Sequence, residues 1–309
     1  MAIETKPLSP SVGLEVFGVD ASRPIDPDTR SVLLRHFIDA GVLLFRGAGN
    51  STEAHVHLSR YFGELERHSS KEAWTDGFPE LIDISYRPPA KGALPDLQPI
   101  YEVDGEALAG WLPWHTDQCF MPRLSRGGVL RALQVPPTHG RTGFLDKIHL
   151  YDTLDDDLKA KIEGLSVVYR FDPRMDRNRF GNPPGLKLLS TSAGMNSMLA
   201  RLDRDFPPAV HPLVYAQAET GRKVLNFSPC YATAIQGMSD GEGDAILSDL
   251  ADHVGKPHHA YYHSWRADDL VVWDNWRTLH SAEGCPARDT RIMHRTSIAG
   301  DYGLGAALN

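Results

Sequence analysis

Trp114-His115-Thr116-Asp117 places an imidazole and a carboxylate two residues apart. On a β-strand successive side chains point to opposite faces, so His115 and Asp117 would share a face while Thr116 looks away. One nitrogen and one oxygen ligand on a common face can meet a single ion. A second imidazole from a distant strand would complete a 2-His-1-carboxylate facial triad, which leaves positions open on non-haem Fe(II) for oxygen chemistry. Taken alone, the pair is also what an ordinary hydrogen-bonded His–Asp contact looks like, so the rest of the chain must decide.

Two later stretches bear on that. Val271-Val272-Trp273 runs into an Asp274-Asn275 turn, and a further strand leads to His280. His280 reads as a core histidine or as the distal ligand, since only folding could bring it to Asp117. In Arg291-Ile292-Met293-His294-Arg295-Thr296-Ser297-Ile298, read as a strand, Arg291, Met293 and Arg295 share one face and Ile292, His294, Thr296 and Ile298 the other. A guanidinium is costly to bury without a partner and its planar fork suits a carboxylate. The two arginines are therefore either internal salt bridges or a clamp for an anionic cosubstrate or substrate.

The elements that must position these groups begin as strand, helix, strand, helix. Ser11–Val19 reads as a strand. Pro27–Ala40 reads as a helix capped by Asp26, opened by Pro27 and stopped at Gly41. Val42–Arg46 is a short apolar strand, and Thr52–Phe62 a second helix ending at Gly63. Leu81–Ser85 is another strand. Arg87–Leu112 is rich in proline and glycine and predicts a long irregular segment, functional as a lid or disordered. Strands follow at 127–133, 142–146, 165–169, 212–215, 223–227, 270–273, 276–281 and 291–299, with helices at 151–162 and 244–254. Asp172–Pro208 is irregular and carries Arg174, Arg177, Arg179, Arg201 and Arg204. It reads as a solvated loop or as a second lid with substrate contacts. Many short late strands with turn connections point to an α+β, mainly β domain, a sandwich or jelly roll rather than a parallel α/β sheet.

Composition narrows the class. The 309 residues are 41% hydrophobic and 23% charged, an ordinary globular balance. The net charge of −8 excludes the basic footprint of a nucleic-acid binder. No apolar run has the length of a membrane span. The first six residues lack an apolar core, which predicts no secretory signal. Three scattered cysteines, Cys119, Cys230 and Cys285, do not make a disulfide framework and suit a reducing cytoplasm.

Together these stretches resemble the TauD/TfdA family of Fe(II)- and 2-oxoglutarate-dependent dioxygenases. Trp114-His115-Thr116-Asp117, Trp273-Asp274-Asn275 with His280, and Arg291 to Arg295 match its two metal-ligand regions and its arginine strand, in order and at similar spacing. Gly13, Gly18-Val19-Asp20 and Arg60-Tyr61-Phe62-Gly63-Glu64-Leu65 match its opening, so the resemblance covers nearly the whole chain. It implies one domain over residues 1–309, a double-stranded β-helix (jelly roll) with flanking helices and lid loops at about 87–112 and 172–208, and a homo-oligomer, dimer or tetramer. It makes His115, Asp117 and His280 the iron ligands. It places Thr142 and Arg291 on 2-oxoglutarate, Arg295 near cosubstrate and substrate, and His68 and Tyr231 on the substrate. Trp111 and Lys71 stand where the taurine-oxidising member of the family has asparagine and tyrosine. With Trp114, Phe120 and Tyr231 they suggest a larger or aromatic substrate, although Trp114 also reads as core packing.

The implied activity is hydroxylation of a C–H bond in a small, anionic, partly aromatic or apolar molecule, with O2 consumed and 2-oxoglutarate released as succinate and CO2. Asp117 argues against a halogenase, which needs that ligand position vacant. Two alternatives stay open. One keeps the cofactors but ends in desaturation or decarboxylation, as in isonitrile tailoring. The other is a non-catalytic jelly roll that binds an anion or zinc.

Overall fold

The computed structural model describes residues 3–67, 74–75 and 77–308. The chain is α+β and mainly β, built on two sheets packed face to face. The larger runs Glu4–Pro7, Leu14–Phe17, Val42–Phe45, Leu270–Asp274, Gly127–Gln134, Ile292–Ile298, Phe78–Asp83, Trp74–Thr75. Only Leu14–Phe17 and Val42–Phe45 pair in parallel there, across the first helix. The smaller runs Tyr261–His263, Thr142–Asp146, Thr278–Ala282, Leu112–His115 and is antiparallel throughout.

Period-two patterning decides which side chains meet. In Leu270–Asp274, Val271 and Trp273 enter the core between the sheets, with Leu130, Ala132, Met293 and, from the smaller sheet, Phe144. Leu270 and Val272 enter a second core, where Leu33, Phe37 and Leu58 from two helices cover the outer face of the larger sheet. Gly128 pairs with Trp273, and a Cβ there would come within 2.4 Å of the indole. Glycine is what lets that ring lie across the sheet. A third core lies behind the smaller sheet, where Leu145 and Leu279 meet Leu150, Leu158, Leu247 and Leu250.

The first helix, Pro27–Ala40, has the expected ends. The Asp26 carboxylate accepts from the Thr29 N–H, and Gly41 closes it at φ 72°. The second spans Thr52–Arg60, capped by Ser51. The single helix expected over 151–162 is two, Lys147–Asp152 and Asp156–Ile162. Asp155 breaks it by turning its side chain onto the Leu158 N–H as a new N-cap.

The two segments expected to be irregular are so only in part: residues 87–99 and 178–186 have no helix or strand, but the remainder is largely ordered into regular elements. The first contains a hairpin, Ile100–Val103 with Glu106–Ala109, turned by Asp104 and Gly105 at φ 51° and 82°. The second contains the strand Lys187–Ser190 and the helices Ala193–Leu199 and Leu202–Asp205. Lys187–Ser190 pairs with Ile100–Val103, so the segments share one small sheet, closed on its far side by Cys285–Pro286. Among the described residues no helix is long and apolar enough to cross a membrane.

Candidate active site

His115 and His280 are direct register partners on neighbouring antiparallel strands, their ring centroids 4.1 Å apart. The strand bearing His115 ends there, so Asp117 lies in the following turn rather than on a strand face as expected. It still meets the imidazoles, because the Asn275 side chain holds its backbone. The Asp117 N–H donates to Asn275 Oδ1 at 2.8 Å, and Asn275 Nδ2 donates to the Asp117 carbonyl at 3.1 Å and to that of Ser125 at 3.2 Å. The sequence marked Asn275 by its place in a turn and in the Trp273-Asp274-Asn275 motif, but not as a partner of Asp117.

His115 Nε2 lies 3.8 Å from Asp117 Oδ1, and His280 Nε2 lies 3.6 Å from Asp117 Oδ2. One ligand atom from each of the three residues falls within 4.8 Å of the others. His115 Nδ1 faces the Pro113 carbonyl at 2.8 Å, which makes it the donor and leaves the Nε2 lone pair turned toward Asp117. Burial lowers both imidazoles, His280 well below its usual value. Burial alone would raise Asp117, but Arg295, His280 and His115 beside it hold it below the usual carboxylate range. Two neutral imidazoles and an ionised carboxylate are the protonation states a divalent ion requires. The donor set fits a facial triad.

The two arginines part company. Arg295 forms a fork with Asp117, Nη2 to Oδ2 at 2.7 Å and Nη1 to Oδ1 at 3.3 Å, and lies 5.1 Å over the Trp273 ring. It is an internal salt bridge to one of the three convergent residues. Arg291 is half-buried, and its Nε has no hydrogen-bond partner among the described residues. Burial brings its guanidinium down to about 10. Its backbone pairs with Tyr86 in both directions, just before a bulge between Ile292 and Met293 interrupts strict alternation. A Cβ on Gly140 would lie 3.7 Å from Arg291 Cδ, so Arg291 sits against the turn that leads to Thr142. Thr142 is buried, shares a sheet face with Phe144 and His280, and accepts from Trp265 Nε1 at 3.0 Å. A guanidinium with an unmet donor in this setting fits a carboxylate ligand.

Above the convergent residues opens a cavity of about 500 Å3. His115, Asp117 and Arg295 reach it, and Trp111, Phe120, Phe171, Met175, Met195 and Tyr231 form much of its apolar wall. Trp111 packs edge-on against Tyr101, and Phe120 meets Phe171 at 4.3 Å and Tyr231 at 5.2 Å. Tyr231 adopts a left-handed φ of 67°, costly for a tyrosine. Its N–H donates to Asn178 Oδ1 at 3.1 Å and its carbonyl accepts from the Arg170 N–H at 3.0 Å.

The arginines of the second segment do not line this cavity. Arg174 pairs with Asp172, Arg179 with Asp244, and Arg201 and Arg204 with Asp205. That segment contributes Pro173, Met175, Met195 and Met198 instead. Trp114 also points elsewhere, packing on Tyr262 at 5.8 Å outside the cavity. His68 and Lys71 lie outside the described residues. The sequence reading missed Glu66, whose half-buried carboxyl faces the cavity. Burial raises it, against Arg295 and Arg123 and a hydrogen bond with Gln118.

Comparison with known proteins gives one answer. The family model described as taurine catabolism dioxygenase TauD, TfdA family, matches residues 4–297. An (S)-phenoxypropionate/alpha-ketoglutarate-dioxygenase of Sphingobium herbicidovorans is 30% identical, over 99% of this chain and 98% of its own. An alpha-ketoglutarate-dependent 2,4-dichlorophenoxyacetate dioxygenase of Cupriavidus pinatubonensis is 30% identical, over 97% and 99%. A crystal structure of a taurine dioxygenase from Burkholderia xenovorans superposes with a TM-score of 0.74 at 27% identity, covering 100% of this chain and 95% of that one.

Proposed function

We propose, for a chain that belongs to the TauD/TfdA family, that it hydroxylates an organic anion with an aromatic or apolar body at the carbon beside its acidic group. It is a 2-oxoglutarate-dependent non-haem iron dioxygenase. Family membership decides for an enzyme over a non-catalytic binder. The observation that carries the site assignment is the convergence of His115, Asp117 and His280 at the floor of the cavity.

When bound, Fe(II) with 2-oxoglutarate supplies the oxidising power: O2 is consumed, succinate and CO2 leave, and a substrate C–H becomes C–OH. The chain's part is positioning. His115, Asp117 and His280 would hold the ion. Arg291 and Thr142 take the cosubstrate carboxylates, and Arg295 offers its charge to cosubstrate and substrate beside Asp117. Trp111 and Tyr231 orient the apolar body and exclude water, with His68 and Lys71 completing the substrate set. Where the hydroxylated carbon also bears an aryloxy group, the product is a hemiketal or hemiacetal. It breaks to a phenol and a carbonyl compound, the proton passing to the departing oxygen.

In this reading residues 1–309 are one domain, the facing sheets form a double-stranded β-helix, and segments 87–112 and 172–208 close over the cavity as lids. The reading extends to a homo-oligomer in a reducing cytoplasm, which three free, buried cysteines suit. The test is anaerobic addition of Fe(II) and then 2-oxoglutarate, which should raise a weak visible charge-transfer band. No band, together with no succinate under O2, would sink the reading. Succinate release over a panel of aryloxyalkanoates, sulfonates and alkyl sulfates then identifies the substrate class, and product analysis separates hydroxylation from desaturation.

A further inference from the structure

Behind the cavity floor lies a charged group that the mechanism does not use. Lys147 opens the helix Lys147–Asp152, and its side chain is 0% exposed. Its Nζ donates to Thr116 Oγ1 and to Asn226 Oδ1, each at 3.2 Å. Both acceptors are neutral. The nearby carboxylates have other partners, Asp146 with Arg277 and Asp274 with Arg126. Among the described residues no carboxylate forms an ion pair with Lys147. Burial brings its ammonium down to about 7. An unbranched apolar side chain of similar length would fill the space without that desolvation, so the amine is retained for what it bonds.

What it bonds is the residue between two of the convergent ligands. Thr116 also borders the cavity; its hydroxyl accepts from Lys147, and its N–H donates to Ser228 Oγ at 3.3 Å. This matters because the strand ends at His115. From Thr116 to Arg126 the chain has no sheet ladder, and Gln118 takes a left-handed φ of 61°. The carboxylate ligand therefore rides on a turn closed by the Cys119 N–H on the Thr116 carbonyl and anchored to the rest of the fold by side chains: Asn275 on the Asp117 backbone, Ser228 on the Thr116 amide, Lys147 on the Thr116 hydroxyl. Asn226, the second acceptor, is itself fixed, its Nδ2 donating to the Pro212 carbonyl at 3.0 Å and to Tyr302 Oη at 3.4 Å. Lys147 thus ties the turn to a braced point elsewhere in the fold.

We propose that Lys147 is a positioning residue for the metal-binding turn: its bond to Thr116 sets the orientation of His115 and Asp117 before the ion arrives, so metal affinity depends on a side chain that touches no ligand. The inference rests on the assignment of His115, Asp117 and His280 as the metal ligands. Residues that orient ligands from behind typically govern metal affinity by about ten- to a hundredfold.

The test uses the metal-free full chain and Mn(II), with free Mn(II) read by electron paramagnetic resonance well below the melting temperature. Lys147→Met should weaken binding about tenfold. Thr116→Val, which removes only the hydroxyl, should weaken it by a similar factor, and the double variant no further, because both delete one contact. Visible bands of the Co(II)-loaded protein should shift alike in the two single variants. A folded Lys147→Met chain with wild-type affinity overturns the proposal, even if its melting temperature falls. So does Thr116→Val with wild-type affinity, whether or not Lys147→Met folds, and so do single losses that multiply in the double variant. His115→Ala separates the two readings. If it binds Mn(II) as well as wild type, the ligand assignment fails and takes this inference with it. If it loses binding while Lys147→Met keeps it, only the role of Lys147 fails.

Discussion

The floor and the wall of the cavity are built in different ways. On the floor, His280 and Arg295 sit on strands inside antiparallel ladders, and His115 ends one. Sheet register sets their spacing, and a slip of one residue would turn each away from its partners. The wall hangs on a small sheet shared by two segments, on aromatic contacts and on single side-chain bonds such as Asn178 to Tyr231. A ladder fixes geometry within narrow limits, whereas isolated contacts can be exchanged one at a time. The proposed function puts the reaction type on the floor, where only Asp117 depends on side-chain bonds, and the choice of substrate on the wall.

Substitutions can break that division. Asp117→Ala removes the carboxylate between two imidazoles and should reduce succinate formation to background. Full activity in that variant would contradict the floor as described. Arg291→Ala should leave the ion in place and raise KM for 2-oxoglutarate. Losing one partner of a buried charged pair costs about 2–3 kcal/mol, on the order of a hundredfold. Equal effects on substrate and cosubstrate KM would show that the two regions are not separable. Asn178→Ala removes the acceptor that holds Tyr231 in its left-handed conformation. The expected loss is about 1 kcal/mol, or several-fold in substrate KM, with the cosubstrate KM unchanged.

The smallest expected effect is that of mild acid. Burial lowers His55, behind the larger sheet, to about 3 and His211, against the Met121 carbonyl, to about 4. A histidine held below its ordinary value of about 6.5 stabilises the fold above that pH, and the contribution is lost as the pH falls toward the folded value. At pH 6 each should cost on the order of 1 kcal/mol, a few degrees in Tm, relative to pH 8. His211→Asn should flatten the melting profile between pH 6.5 and pH 4 if that histidine carries its share.

Much of the floor was legible because its residue types are costly anywhere else. Arg291 and Arg295 stand out at the start and middle of a largely apolar run, and the helix Pro27–Ala40 shows its cap, its proline and its terminal glycine in the sequence. Partners far apart in the chain were not legible. No local pattern shows that His280 faces His115, that Asn275 grips Asp117, or that Arg295 pairs with Asp117 rather than standing free. The hairpin in the first segment is a different case. Asp104-Gly105 between Tyr101-Glu102-Val103 and Glu106-Ala107-Leu108 is a two-residue turn signal, obscured by the prolines on its N-terminal side. The helix break at Asp155 was hidden by Leu150, Leu154 and Leu158, whose spacing of four suits one continuous helix.

The wall's sulfur content has a bearing on how long a molecule of this enzyme lasts. Met175, Met195, Met198 and Cys230 all border the cavity proposed to hold the substrate. Thioethers are soft and readily converted to sulfoxides, which are polar and would spoil an apolar surface. With a substrate seated, its C–H bond stands between the reaction and these side chains. With cosubstrate and O2 alone, no such bond is there to be oxidised in their place. Incubation without substrate should therefore leave a mass increase of one oxygen on Met175 or Met195, growing with succinate released, and the catalyst's lifetime would be counted in idle cycles.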